Sequence, residues 1–209
     1  MFLFINIFIL NSLSEIGVIR TSFVRDVLFS LILISGVMAL AESRFVTVLA
    51  VLLAVATLAV RWVKIFFPGV GLATLDTFLS LSFFGILAGV VLLQVFRKGP
   101  ITVHRIMGAV VVYLLLGLMW AFAYELIALY QPESFNLGAP PVADGGEDIT
   151  GRLIYFSYIT LTTLGYGDIT AVHPVARALA MLEAVIGQLF PAILLARLVS
   201  MELYSRRLK

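Results

Sequence analysis

The sequence predicts an all-α integral membrane protein, and two observations support this fold class. Of the 209 residues, 62% are hydrophobic and only 12% are charged. A soluble domain needs a polar exterior and cannot bury so large an apolar share. The apolar residues also fall into long runs, several of them close to the roughly 20 residues that a helix needs to cross the hydrocarbon core. We therefore expect a multi-pass protein whose main partner is the lipid bilayer.

The first 130 residues contain four such runs, each bounded by charged or turn-forming residues. A PGVG turn signal at 68–71 separates the second run from the third. The apolar run at residues 2–10 is too short to cross the membrane alone. They either extend toward Ile19 as a further span or lie at the interface, which leaves five or six spans in all and the side of the N-terminus open. The four predicted spans are 23–41, 45–67, 74–96 and 106–130.

Several classes of function find no support in the sequence. The net charge is only +2, so nothing suggests nucleic acid as a partner. The chain has no cysteine, which excludes disulfides and cysteine-based metal sites. It also lacks the HExxH, GxSxG and P-loop patterns of common enzymes. We therefore expect neither an enzyme nor an organic cofactor.

The composition changes sharply after residue 130. Residues 131–151 are rich in proline, glycine and acidic residues and predict a loop in water. Residues 151–163 are apolar but too few to cross a bilayer, so we expect a short helix that enters the membrane and stops partway. Residues 164–168 then return the chain to the start of the last span, 174–203. Bare backbone at membrane depth must be buried in protein or line a watery path, so this arrangement predicts a pore.

Within this return lies the sequence Thr163-Leu164-Gly165-Tyr166-Gly167. It resembles the selectivity filter of potassium channels, with leucine where valine is commoner. The order of span, loop, half-helix, filter and span also resembles the pore module of that family, over about residues 103–203. The whole chain resembles short bacterial potassium-channel proteins that carry a few plain spans before one pore module.

The resemblance implies a division of the chain into two parts. Residues 1–98 would form three to four transmembrane helices without a voltage-sensor pattern, and residues 99–209 would form the pore domain. The pore domain would contain an outer helix 103–130, an extracellular loop 131–150, a pore helix 151–163, a filter 163–167 and an inner helix 173–203. The family's orientation implies a cell-membrane protein with its filter outside and its C-terminus in the cytoplasm.

The resemblance also implies a mechanism, in which four copies of the chain surround one axis and K⁺ passes down its gradient. The carbonyls of Thr163, Leu164, Gly165 and Tyr166 would stack into rings that replace the water around the ion. The Thr163 hydroxyl would form the innermost ring, and the Gly167 carbonyl would face the outer mouth, with Asp168 directly after it. Gly165 and Gly167 would supply the positive φ angles that such stacking requires.

Other residues would support the filter. The resemblance implies that Tyr166 points away from the axis and packs against pore-helix aromatics, for which Tyr155, Phe156 and Tyr158 are candidates, beside Thr162. Some family members carry a carboxylate four residues before the filter threonine. That position is Ile159 here, so the acid contact is missing.

The last span carries two residues of interest for gating. Gly187 matches the family's hinge glycine, and Pro191 removes the hydrogen bond to the Gly187 carbonyl, so both would weaken one turn. Alternatively, Gly187 permits close helix packing, which glycine often does in membranes. Both roles can hold.

Two acidic residues, Glu125 and Glu183, lie deepest within predicted spans, and intramembrane acids are functional candidates. The favoured interpretation is a simpler one. Both would lie near the outer third of the membrane and reach water or a basic partner such as Arg152 or Arg177.

The early spans lack the repeated charges of a voltage sensor. The span 74–96 contains no arginine or lysine, and Arg61 and Lys64 lie at one end of the span before it. We therefore expect a voltage-independent channel. These two residues would lie near the outer face, against the positive-inside rule.

Two other functions stay open. A weakly selective cation channel would keep the same fold, although relaxed filters of this family tend to lose the tyrosine found here at Tyr166. A non-conducting membrane scaffold subunit could also retain the pore fold.

Overall fold

The structure is a computed structural model, and it describes residues 27, 29–33, 44–97, 102–138 and 149–207. Within these ranges it is almost entirely helical. The choice between five and six spans depends on residues 1–19, which lie outside the described residues, as does most of the predicted span 23–41. Five helices are named here in chain order: α1 (Arg44–Phe66), α2 (Val70–Val95), α3 (Val103–Tyr130), α4 (Ile149–Leu161) and α5 (Pro174–Arg207).

In the described part of the chain, four helices are long and apolar enough to cross a membrane. They correspond to the four predicted spans that lie in this part, which are 45–67, 74–96, 106–130 and the last span, 174–203. The qualifying segments are Thr47–Lys64, Val70–Val95, Val103–Tyr130 and Pro174–Arg197. The composition therefore predicted the membrane helices correctly wherever the structure describes them.

The turn between α1 and α2 lies at the predicted PGVG. The helix α2 begins earlier than the predicted 74, because the Ala73 amide already donates to the Gly69 carbonyl at 3.0 Å and brings Val70 into the helix. Pro68 cannot donate a backbone hydrogen bond and so favours a break after α1. The two helices form an antiparallel hairpin beside α3.

Aromatic rings join the early helices to α3. Phe84 of α2 stacks on Phe122 of α3, with ring centroids 5.7 Å apart and planes 8° apart. Phe29, in the helical residues 29–33, packs against both rings, at 6.2 Å and 5.7 Å. These rings lie in an apolar core that extends along α3 and includes Leu115, Leu118 and Ile154 of α4.

The helix α4 is the predicted half-helix. It has 13 residues, which at about 1.5 Å per residue is far too short to cross the roughly 30 Å hydrocarbon core. It runs from 149 to 161, two residues before the predicted 151–163 at each end, because Thr162 and Thr163 already belong to a turn. It packs between α3 and α5. The predicted inner helix 173–203 is observed as Pro174–Arg207.

A small antiparallel sheet joins the segment before α4 to the segment after the predicted filter. Strand β1 (Phe135–Asn136) pairs with β2 (Thr170–Ala171), with Phe135 opposite Ala171. The expectation that 131–151 lies entirely in water is wrong for Phe135, which is buried. Its ring packs edge-on against Tyr124 and Phe156, at 5.5 Å and 5.6 Å, and burying an aromatic ring is favourable.

Candidate functional site

The candidate site is the exposed segment 162–168, which connects α4 to the buried Ile169 just before β2. The helix ends in a tight turn, in which the Thr162 amide donates to the Tyr158 carbonyl at 3.0 Å and the Thr163 amide to the Thr160 carbonyl at 2.9 Å. The Thr162 hydroxyl also donates to the Tyr158 carbonyl, at 2.7 Å. Thr162 therefore closes the end of the helix, which is a supporting role close to the predicted one.

Every second residue of this segment has a left-handed backbone. The φ angles are 58° at Thr163, 53° at Gly165 and 82° at Gly167, whereas Leu164 and Tyr166 do not have positive φ. Glycine adopts this conformation at little steric cost, and the sequence predicted it at both glycines. Thr163 was not predicted to adopt it. A β-branched residue with positive φ is an outlier that neighbouring contacts must hold in place.

Hydrogen bonds to α4 fix the direction of two successive carbonyls. The amides of Leu164 and Gly165 both donate to the Ile159 carbonyl, at 2.8 Å and 3.1 Å. In a planar trans peptide, the carbonyl points opposite to the amide hydrogen of the next residue. The carbonyls of Thr163 and Leu164 therefore both point away from α4, toward the exposed side. Ile159 therefore anchors the segment through its backbone carbonyl.

The middle of α5 lies directly against the start of this segment. Gln188 Nε2 donates to Thr163 Oγ1 at 2.6 Å. One residue earlier, a Cβ added to Gly187 would lie 1.8 Å from the Leu161 carbonyl oxygen. Gly187 thus permits close packing, as the alternative interpretation held, while bending at Gly187 and Pro191 stays a prediction. Sequence reasoning missed Gln188, although it is an isolated polar residue in an apolar run.

The aromatic residues of α4 face α3, and within one chain they do not pack around Tyr166. The Phe156 ring lies edge-on to Tyr124, at 5.2 Å, and the Tyr158 hydroxyl donates to the Leu114 carbonyl. Tyr155 is half-buried against the same cluster. In the described part of the chain no aromatic ring contacts Tyr166, which is 69% exposed. The reason is that α3 is the apolar surface next to α4, and the rings are buried there.

The end of the segment lies against the residues that follow β1. Gly138 has a φ of 73°, and a Cβ at this position would lie 2.8 Å from the Asp168 carbonyl oxygen. Only a residue without a side chain permits this approach. The Asp168 side chain itself is exposed, at the end of the segment where the predicted outer mouth lies.

Glu183 is fully buried, and the favoured interpretation of this residue is wrong. Its relative exposure is 0%, so it does not reach water. Its partners are the hydroxyls of Tyr124 on α3 and Ser157 on α4, each at 2.5 Å, and not an arginine. Arg177 donates instead to the Ala171 carbonyl, at 3.1 Å.

Glu125 has a different environment. It is half-buried near the end of α3, where its Oε1 accepts a hydrogen bond from the Thr150 hydroxyl at 3.0 Å. Arg152, the other predicted basic partner, donates to the Leu137 carbonyl. Glu125 therefore helps to join α3 to the start of α4.

A buried ion pair joins α1 to α2. Arg61 Nε lies 3.1 Å from Asp76 Oδ1, and Lys64 Nζ lies 2.6 Å from Asp76 Oδ2. Arg61 also donates to the Ser80 hydroxyl at 2.9 Å and lies 5.0 Å from the centre of the Phe29 ring. Sequence reasoning noted both basic residues but missed Asp76. Lysine and arginine at this end of an apolar helix are tolerated because a carboxylate on the next helix neutralises part of their charge.

Comparison with known proteins agrees with this geometry. Residues 145–203 match a family model described as an ion channel, and this range includes α4, the segment 162–168 and most of α5. No curated protein and no solved structure matched the chain significantly. The family match, together with four helices that are long and apolar enough to cross a membrane, supports an ion channel.

Proposed function

We propose that the protein is a potassium-selective channel, in which four copies of the chain conduct K⁺ passively through rings of backbone carbonyls. One observation carries this proposal. The left-handed backbone at Thr163, Gly165 and Gly167 alternates with two residues that lack it, and the carbonyls that follow the first turn, those of residues 163 and 164, point to the same exposed side.

Such an alternating backbone suits the removal of water from a potassium ion. An ion enters a narrow pore only if oxygens of the protein replace its hydration shell. Stacked carbonyls supply neutral oxygens at regular spacing, without a side chain that would bind the ion too tightly to release it. The C-terminal end of α4 directly precedes these carbonyls, and the negative end of a helix favours a cation nearby.

The exposure of α5 supports an assembly of several chains. A single chain can supply only one side of each carbonyl ring. Large apolar side chains on α5 are exposed in one chain, which is expected if neighbouring copies and lipid cover them. These exposed side chains are Met181, Leu182, Val185, Leu189, Ile193, Leu195 and Val199. In a homotetramer, Tyr166 would pack against the neighbouring chain, since the described part of its own chain brings no ring against it.

The distribution of basic residues supports an orientation in the cell membrane with the C-terminus on the cytoplasmic side. Arg105 donates to the Arg97 carbonyl at 2.7 Å, and the Arg197 guanidinium lies 5.2 Å from the centre of the Phe96 ring. Arg105 belongs to the start of α3, and its contact with the Arg97 carbonyl brings the end of α2 to the same place. This is the end of α3 opposite to its connection with the filter region. The positive-inside rule places this end in the cytoplasm and the filter outside.

Flux into liposomes that contain the purified protein tests the proposal. We expect uptake of rubidium that Ba²⁺ blocks, because carbonyl rings suited to dehydrated K⁺ also accept ions of similar size. Sodium uptake under the same gradient should be much slower. Equal rubidium and sodium uptake would indicate the weakly selective cation channel. Folded, tetrameric protein without flux of either ion would indicate the scaffold subunit.

A further inference from the structure

Glu183 joins three helices through one short chain of hydrogen-bonding oxygens. Its Oε2 lies 2.5 Å from the Tyr124 hydroxyl on α3, and its Oε1 lies 2.5 Å from the Ser157 hydroxyl on α4. The Ser157 hydroxyl also lies 2.7 Å from the Gly117 carbonyl on α3. These are three oxygen–oxygen contacts at hydrogen-bonding distance, and each requires one proton.

The number of available protons assigns the protonation state of the Glu183 carboxyl group. A serine or tyrosine hydroxyl supplies one proton, and a backbone carbonyl supplies none. With an ionised Glu183, Tyr124 and Ser157 would supply two protons for three contacts. One short contact would then bring two oxygens together without a hydrogen. With a proton on Glu183 Oε1, Tyr124 donates to Glu183, Glu183 donates to Ser157, and Ser157 donates to Gly117.

The surroundings of Glu183 agree with a neutral acid. The titratable groups that face it are tyrosines, namely Tyr113 and Tyr124 on α3 and Tyr158 on α4. The described part of the chain places no lysine, arginine or histidine in contact with it. An ionised carboxylate buried here would have no cation to compensate its lost hydration, which is unfavourable.

We propose that Glu183 is a positioning residue for the filter, and that it acts as a neutral, proton-bearing carboxylic acid. This inference rests on the proposed function. Glu183 and Gly187 lie on one side of α5, because residues four apart are close to one helical turn apart, and Gln188 directly follows Gly187. The three contact α4 or the filter at successive points: Ser157, the Leu161 carbonyl and Thr163. Deprotonation would break the uppermost contact and loosen α4, on which the filter is anchored.

Glu183→Gln and Glu183→Ala test the proposal together. A glutamine amide is neutral, donates to Ser157 and accepts from Tyr124, so E183Q should keep rubidium flux and K⁺/Na⁺ selectivity within about twofold. E183A removes both contacts of the carboxyl group and should lower selective flux by about tenfold or more, since the buried Tyr124 and Ser157 hydroxyls lose a partner. Glu125→Gln, at the half-buried acid, is the matched control. Loss of flux or folding in E183Q to the level of E183A would overturn the proposal.

Ser157→Ala extends the test to the second link. It leaves the Glu183 proton without an acceptor and should reduce selectivity, whereas Ser82→Ala should not. Ser82 is a suitable control because it is only half-buried on α2 and its hydroxyl donates to the Phe78 carbonyl of its own helix. Equal effects of S157A and S82A would contradict the proposal.

Two further measurements separate this inference from the channel itself. The infrared spectrum of the wild-type protein minus that of E183Q should show the carbonyl stretch of a protonated carboxylic acid at neutral pH, whether or not the protein conducts. Wild-type flux should fall at alkaline pH, while that of E183Q should not. Selective flux without the infrared band would overturn the inference and leave the channel standing. The band without any flux would support the protonated Glu183 and overturn the channel.

Discussion

Gln188, in the middle of α5, donates a hydrogen bond from Nε2 to Oγ1 of Thr163 over 2.6 Å. Thr163 begins the segment proposed as the filter, and its left-handed backbone is costly for a β-branched residue. The hydrogen bond holds this side chain in place. It also means that α5, the helix that carries Gly187 and Pro191, contacts the proposed filter directly, so movement of one can change the other.

Gln188→Leu should weaken selectivity by removing this bond at nearly constant volume. A hydrogen bond of this kind contributes about 1 kcal/mol, so we expect the K⁺/Na⁺ permeability ratio to fall by about fivefold. The reversal potential with K⁺ on one side and Na⁺ on the other measures the ratio. Gln94→Leu, the same substitution on α2, is the matched control. An unchanged ratio in Q188L would mean that Thr163 is held by other contacts.

Gly165→Ala should abolish selective flux, and the cause should be the backbone conformation alone. A Cβ at this position meets no atom within 4 Å, so crowding within the chain is not the cause, but φ is 53°. An L-residue in the left-handed region costs about 1–2 kcal/mol, and a tetramer would incur this four times. Rubidium flux measures the loss. Gly89→Ala, on α2 with open space and no positive φ, should conduct normally. Normal selectivity in G165A would contradict the carbonyl filter.

Gly187→Ala and Pro191→Ala should have different effects. A Cβ at Gly187 would lie 1.8 Å from the Leu161 carbonyl oxygen, so G187A must displace the end of α4 and should reduce selectivity. P191A restores a helix hydrogen bond away from the filter. If the bend favours the open state, P191A should lower open probability and leave selectivity intact. Single-channel recording measures both quantities. Unchanged open probability in P191A would place the gate elsewhere.

Arg61 should stabilise the protein without sensing voltage. Its guanidinium is held by Asp76 and Ser80, and moving one charge across the membrane supplies only about 2.3 kcal/mol per 100 mV. We therefore expect a shallow conductance–voltage relation. Arg61→Ala should destabilise the protein by about 3–5 kcal/mol, because the buried Asp76 loses a partner. Thermal unfolding in detergent measures this, with alanine at the half-buried Arg105 as the control. A steep relation that R61A flattens would show that Arg61 is a gating charge.

The sequence predicted the parts of the site that depend on local chemistry. Two glycines around Tyr166 indicated positive φ, and the 13 residues of α4 were visibly too few to cross a bilayer. The membrane helices followed from composition in the same way. Each of these features is encoded by residues close together in the chain.

The parts that were missed depend on contacts between distant residues. Glu183 was expected to reach water or an arginine, because sequence alone cannot show that Tyr124 and Ser157 surround it. Asp76 was overlooked for the same reason, as its partner Arg61 lies on the preceding helix. Phe156 and Tyr158 were assigned to the filter, but packing against α3 determines their direction. Helical periodicity specifies which residues share a face and leaves open which helix that face meets.

The reversal potential across a bilayer that contains the purified wild-type protein, with K⁺ on one side and Na⁺ on the other, tests the central claim most directly. The proposed filter replaces the hydration shell of K⁺ better than that of Na⁺. The account therefore predicts a strongly negative potential on the K⁺ side, the sign produced by K⁺ leaving that side, and its loss in G165A. A wild-type potential near zero, with measurable current, would contradict potassium selectivity.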